Sequence, residues 1–460
     1  MKKKMVCILM AGVMASLAPA QMVFAEGDSG EKTVVKFQTW NPGDEEYTHA
    51  MLEKFEEEHP DIQIDYTFMP YTDHVEKLKV DLSAGDAADV YGVQTGAMYK
   101  EFRDFEEDLT PYLVKEYGDD WASNYNEYAM SLLKGDDGEY YAVPLGLSYA
   151  GYVWANMKYF DKYGLELPTN YDELKEVCKT FRDNGEYPLV IGAKDSWINI
   201  DTWMNIAADI NTEKLYSAIE GETPFTDEDL AADINKDKLY SAIEGETSFT
   251  DEDLVQSFQI WQNCFTDGVF QDGALGVGMY TDSTDMYQKE GSVPMILNGS
   301  WSLGAYMDSD EQSQEVYNGE GANHKIFLMD WNNDGKIAPV EEAVDVSLAI
   351  NNQSKVKDAA WTFVDWMIHE GADTLVNGQL QYMPARNDME LNVEGLNENG
   401  TENLEYCVEQ GKNNVGGYRE MAYAELKETI SNELTELALG DVTPEEAADT
   451  IEAASQAQER

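Results

Sequence analysis

Cysteine is scarce in this chain of 460 residues, which has only Cys7, Cys178, Cys264 and Cys407. No two stand at a metal-binding spacing, and the three that follow the N-terminal segment are odd in number. Buried free thiols are therefore expected, with one disulfide plus a spare as the alternative. Basic residues are few as well: 31 Lys and Arg face 89 Asp and Glu, a formal charge of −58. Such a surface repels nucleic acid and anionic membrane and argues against an anionic ligand without naming any other. Beyond the N-terminal segment no apolar run approaches the roughly 20 residues needed to span a bilayer. HExxH, GxSxG, Walker A and GxGxxG are missing at any strand-to-helix position, and acidic pairs are too common here to point to glycosidase chemistry. The five histidines, His49, His59, His74, His324 and His369, are scattered, and each is expected to face solvent.

The length allows at least two cores and two or three domains. Lys2, Lys3 and Lys4 precede the apolar run Met5 to Ala20, and Val23-Phe24-Ala25 offers a small residue for cleavage, so residues 1–25 read as a secretory signal peptide. Its removal takes away three lysines and leaves −61. Thereafter the pattern alternates. VVKFQT before Thr39 is extended; Tyr47, Met51, Leu52 and Phe55 recur at helical spacing; Ile62, Ile64, Tyr66 and Phe68 alternate with polar residues; Asp89 to Val93 is a third strand. This is an α/β layered lobe with ligand contacts at strand ends. Further on, Ala207 to Leu230 is repeated as Ala231 to Leu254, differing only at Thr212/Lys236, Glu213/Asp237 and Pro224/Ser248. Two copies do not make a solenoid, which needs about three. The extra length is expected as a tandem duplication outside the core of the second lobe. Thr250 and Asp253 stand in capping-box spacing ahead of a helix from Leu254 to Phe265.

From Val143 to Leu174 a Pro-marked strand is followed by the apolar run Tyr149 to Trp154, an Asn156 turn, and a helix start at Asn170 with Glu173 three residues later. With Ala88-Asp89-Val90-Tyr91, Asn298-Gly-Ser-Trp301 and Tyr382-Met-Pro384-Ala-Arg386, this resembles the extracellular solute-binding protein family 1, the sugar-binding, maltodextrin-binding-protein-like family. The resemblance covers essentially the whole mature chain, apart from one repeat copy. It implies a two-lobed periplasmic-binding-protein-like fold of type II, with discontinuous lobes joined by three crossings. The first lobe would be 26–143 with 346–381 and the second 144–345 with 382–460, the latter carrying the 207–254 duplication.

Neutral sugars present flat C–H faces and a rim of hydroxyls, which aromatic platforms flanked by amides and carboxylates answer. Trp40, Trp197, Trp203, Trp301 and Tyr418 stand in loops or at element ends, whereas Trp121, Trp154, Trp261, Trp361 and Trp366 sit in core-like patterns. By family position, Trp40, Asn41 and Asp44 end the first strand, Gln94 follows the third, and Tyr149 lies past the crossover. Trp197, Asn298, Trp301 and Tyr418 would line the second lobe, with Arg386 beside the third crossing.

Asp330, Asn332, Asp334, Lys336 and Glu341 fit an EF-hand loop in spacing, with Gly335 at the turn. Their flanks look extended rather than helical, so a hairpin turn competes with a structural Ca²⁺ site. No cofactor is otherwise required. The resemblance implies a secreted, monomeric solute-binding component of an ABC importer, not an enzyme, that captures a mono- or oligosaccharide and presents it to the permease subunits. Cys7 lies too early for a lipid anchor. An extracellular carbohydrate-active enzyme and a binding protein for a peptide or polyamine are the alternatives.

Overall fold

Thr33–Thr39 forms strand β1 and Ile62–Phe68 forms β2. They run parallel, with Val35 opposite Ile64 and Phe37 opposite Tyr66. The Glu45–Glu58 helix makes the crossover and buries Met51, Leu52 and Phe55. The Tyr71–Ala84 helix follows and ends at Gly85, in the left-handed region that favours glycine. β3 (Val90–Val93) then pairs parallel to β1. In the computed structural model, which describes residues 32–40, 45–135, 137–220, 248–288, 292–306 and 323–458, this β-α-β-α-β start belongs to one of two sheets. The proposed signal peptide lies outside the described residues, as do 221–247 of the duplication.

The first sheet has six strands in the order β10-β9-β3-β1-β2, with β4 also on β9. β9 (Val340–Ile350) organises it. Along one edge it carries β4 (Ala142–Ala150), antiparallel. Along the other it carries β3 at its Ser347–Ile350 end and β10 (Val415–Tyr418) at its Val340–Glu342 end. Met383 bridges to Leu147 of β4, so three stretches that pass between the lobes lie side by side. The second sheet, β6-β7-β5-β8, is built from Leu189–Val190, Met295–Asn298, Tyr152–Asn156 and His324–Phe327.

Two expected divisions differ. β4 and β9 stay in the first sheet over their full lengths, instead of changing lobe at 143/144 and 345/346, because they pair with each other throughout. β10 also joins the first sheet, while the helices of 382–460 pack on second-lobe elements as expected, with Leu434 O accepting from Trp261 Nε1 and Ser455 donating to Ala218 O. The Tyr149–Trp154 run is broken at Gly151, whose φ is +99; a Cβ there would lie 2.3 Å from Nδ2 of Asn205, so only glycine lets the two elements touch.

The Asn170 side chain caps the Tyr171–Asp183 helix by accepting from Glu173 N, and Leu174, Val177 and Phe181 are buried. The other expected box does not form: Asp251, not Thr250, caps Glu252–Thr266, while Asp253 turns to Asn211 and Lys214. Leu215, Ala218 and Ile219 of the first repeat copy are core residues. Cys178, Cys264 and Cys407 are buried free thiols. Among the histidines, His74 and His324 are buried, against expectation, because each ring has a polar partner inside: Gly92 O at 2.9 Å for His74 and the Tyr287 hydroxyl at 2.6 Å for His324. Burial lowers their pKa values to about 4 and about 3.

Candidate functional site

At the end of β1, Trp40 packs edge-on against Tyr71 at 5.2 Å and tilts over His74 at 5.0 Å. His74, a neutral ring, supports this platform: its Nε2 donates to Gly92 O, and Nδ1 accepts from the Gln38 amide at 3.3 Å. Beyond β3, Gln94 donates through Nε2 to Asp345 Oδ1 at 3.0 Å, and its Oε1 has no hydrogen-bond partner among the described residues. Tyr71 lies close enough to Lys427, Glu420, Arg419 and Asp345 to feel all four charges. This is the first lobe's face.

The second lobe's face begins where the Ser196–Glu220 helix starts. Trp197 stacks on Tyr280 at 5.8 Å and meets Trp301 edge-on at 5.9 Å. Trp301 follows β7 through Gly299, where an added Cβ would come within 2.0 Å of the indole. Glycine here lets the ring fold back over the turn. Asn298 shapes the same turn, since its Oδ1 accepts from Gly299 N at 2.9 Å and its Nδ2 donates to the Tyr306 hydroxyl at 3.1 Å.

Arg419 joins the two faces. Its Nε donates to Asp201 Oδ2 of the Ser196–Glu220 helix at 2.8 Å, and its Nη1 donates to Asp345 Oδ1 of β9 at 3.2 Å and to Ser148 Oγ at 3.4 Å. The guanidinium carbon sits 4.2 Å from the centre of Trp301 and 5.7 Å from that of Trp197. Burial opposes its charge, yet Asp201, Glu420 and Asp345 outweigh burial and raise its pKa. Burial pushes Asp201 up to about 6 against the pull of Arg419, and raises Asp345 likewise. Glu420 is paired with Lys427. Behind Trp301 lies a cavity of about 10 Å³ lined by Asp201, Asn205, Asn298 and Trp331. That is room for about one water.

Of the residues singled out from sequence, the structure brings Trp40, Gln94, Trp197 and Trp301 to this one region, with Asn298 behind. Others lie elsewhere. Trp203 is core: it stacks on Phe258 at 5.0 Å, and its Nε1 donates to Ser257 at 2.9 Å. Arg386 pairs with Asp388 at 2.6 Å and donates to Ile368 O, which fixes it beside the crossing. Tyr149 lies against Gly411 next to Glu342, and Tyr418 packs on Tyr216 at 4.8 Å and bonds Glu220; both rings lie away from Arg419. Asn41 and Asp44 lie outside the described residues. Asp201, Asp345, Arg419, Tyr71 and Tyr280 were missed. The one available signal was strand parity, because Ser148 and Arg419 are the immediate neighbours of the two tyrosines chosen.

The Asp330–Glu341 loop folds as an Asx turn. Asp330 accepts from Asp334 N at 3.1 Å and Gly335 N at 2.8 Å, Asn332 accepts from Asp334 N at 2.8 Å, and Asp334 accepts from Lys336 N at 2.9 Å and pairs with Lys336 Nζ at 2.9 Å. Glu341 sits in β9 beside Asn205. The carboxylates are thus committed to the loop's own donors, and among the described residues no three His, Cys, Asp or Glu side chains gather as they would around a metal ion. The loop is a turn held by its own Asx bonds, and it links β8 of the second sheet to β9 of the first.

The model of the bacterial extracellular solute-binding protein family matches residues 40–374. The chain belongs to that family. An ABC transporter extracellular-binding protein of Pyrococcus horikoshii is 27% identical over 168 residues, covering 35% of this chain and 37% of that protein. A Brucella abortus binding protein is 26% identical over 197 residues, covering 42% of this chain and 46% of its own length. The chain therefore matches less than half the length of these curated relatives. Among solved structures, a chitin oligosaccharide binding protein superposes with a TM-score of 0.70 at 17% identity, covering 93% of this chain and 99% of that one. A maltose-bound T. maritima protein gives 0.69 at 17%, covering 92% and 99%. An ABC substrate-binding protein of Listeria monocytogenes in complex with cycloalternan gives 0.70 at 19%, covering 93% and 98%. These likenesses show the fold, a two-lobed α/β solute-binding architecture. Among the described residues no helix is long and apolar enough to cross a membrane.

Proposed function

We propose that this protein is the extracellular sugar-capturing component of an ABC importer. It would hold a mono- or oligosaccharide between its lobes and hand it unchanged to the permease. The observation that carries the reading is the meeting of Trp197 and Trp301 from the second lobe with Trp40 and Tyr71 from the first around a shared Arg419, Asp201 and Asp345. Aromatic faces suit sugar C–H surfaces, and a guanidinium, an amide and carboxylates suit the hydroxyl rim. Sugar-bound structures with the same fold support it, as does the family's extracellular setting. Ligand that touches both lobes favours the closed form, which the permease would read. On this reading the protein acts outside the cell as a single chain that binds its sugar through its own side chains.

A thermal-shift screen over saccharides, amino acids, peptides and polyamines tests the proposal. The expected result is a shift with saccharides alone, followed by recovery of the same intact sugar on denaturation. A shift with peptides or polyamines instead, or recovery of shortened glycans, would replace it with a non-sugar carrier or a hydrolase.

A further inference from the structure

The charge around Arg419 is unevenly matched. One guanidinium stands between two carboxylates, with 6% of the Arg419 side chain, 5% of Asp201 and 10% of Asp345 exposed. The neighbouring Glu420 is balanced by Lys427. Glu341, which Asp201 and Arg419 also influence, is fully buried beside the Asn205 amide, and burial raises its pKa. With both of its acids ionised, the Arg419–Asp201–Asp345 triad carries one negative charge in excess. Groups here have capacity left: Arg419 Nη2 makes no hydrogen bond among the described residues, and the buried Gln94 Oε1 and Trp301 Nε1 have no partner among them. Gln94 and Arg419 share Asp345 Oδ1, and a set of free donors with a free acceptor matches a neutral hydroxyl, which gives and takes. An anionic group would be drawn to Nη2 but would then meet the two carboxylates that Arg419 binds, and like charges repel strongly where water is excluded.

We infer that Asp201 and Asp345 are specificity-determining positioning residues: they orient Arg419 toward the ligand and cancel its charge, so that the site accepts uncharged sugars and rejects uronic acids. This rests on the carbohydrate reading above. Arginine alone in such a site would favour carboxylates strongly, since its fork matches them in geometry. The paired acids are what would turn that preference round.

The test uses the full mature chain and calorimetric or thermal-shift titration with short oligomers of glucose, galactose and xylose beside galacturonate and glucuronate oligomers. Measurements at about 0.5 M salt, where the Debye length is roughly 4 Å, screen the charge of the whole surface but not a buried triad. Wild type is expected to answer a neutral oligomer and no uronate at either salt. In Asp345→Asn and in Asp201→Asn the ratio of uronate to neutral affinity should rise at least about tenfold, equivalent to 1.4 kcal/mol. Adding Arg419→Gln should abolish the rise, which a merely structural role for the acids would not predict. A wild type that binds uronates as well as neutral sugars overturns the inference and leaves the carbohydrate reading standing. So does an unchanged ratio in the Asn variants. Should both fail to fold, the wild-type panel at high salt decides. A wild type that answers no saccharide overturns both.

Discussion

Glu342 is a carboxyl group buried in β9, with Oε1 lacking a hydrogen bond among the described residues. Burial raises its pKa to about 7, whereas an unfolded glutamate titrates near 4.3. Between those values the folded chain keeps a proton that the unfolded chain has lost, so stability falls as pH rises through the window and is unaffected below it. Replacing Glu342 with Gln removes that dependence. Urea unfolding from pH 4 to pH 8 should show the variant gaining on wild type by about 3–4 kcal/mol across the interval and levelling off above pH 7. A constant difference would mean the carboxylate is hydrated. His74 and His324, lowered in pKa by burial, act in the opposite sense in both proteins and cancel in the comparison. Residue chemistry was legible in the sequence where the cue was local, as in the buried free thiols. It was misread where strand parity decides. Tyr149 and Tyr418 were chosen for their rings, yet the pleat turns the adjacent Ser148 and Arg419 toward the indoles. Nothing in a single strand's residues says which face meets the other lobe.

At the scale of elements, the Asn170 cap was legible because it depends on neighbours in sequence, whereas the Thr250 signal misplaced its cap by one residue, the cap being Asp251. The use made of the duplication was not legible, because it depends on packing. Asn211 and Lys214 of the first copy bond Asp253 and Asp251 of the second, at 2.8 Å and 2.6 Å. One helix of the C-terminal pair receives both sides: Ser455 donates to Ala218 O at 3.1 Å, and Glu452, about a turn away, accepts from Phe249 N at 2.8 Å. The packed unit is therefore the front of one copy joined to the back of the other, with its ends close together. Deleting Gly221 to Glu244 places Glu220 before Gly245 and restores the order within a single copy. Loop closure changes slowly with length, about 0.6 kcal/mol per doubling, so the shortened chain should fold with a melting temperature within a few degrees of wild type and the same saccharide response. Loss of folding would show that the excised residues pack.

At the scale of the molecule, the contacts of Arg419 bear on whether the lobes stay together. Its chain segment belongs to the first sheet: β10 precedes it on β9, and Met421 O accepts from Ala97 N at 2.8 Å. Asp201 is on the second lobe's helix, so the 2.8 Å pair spans the interface. Pairs like this add little net stability when formed, but removing one partner costs about 3–5 kcal/mol because a buried charge is left alone. Arg419→Gln would strand Asp201 and Asp345 together. The chain can relieve that by protonating the acids or by parting the lobes so that water reaches them. Near pH 8, well above the value of about 6 for Asp201, the second route costs less. Small-angle scattering of the ligand-free proteins at that pH should then give a larger radius of gyration for Arg419→Gln than for wild type. The difference should shrink toward pH 5 as the acids take up protons. Equal radii at both pH values, with a lowered melting temperature, would make the triad a fixed part of one core and not a clasp between two bodies.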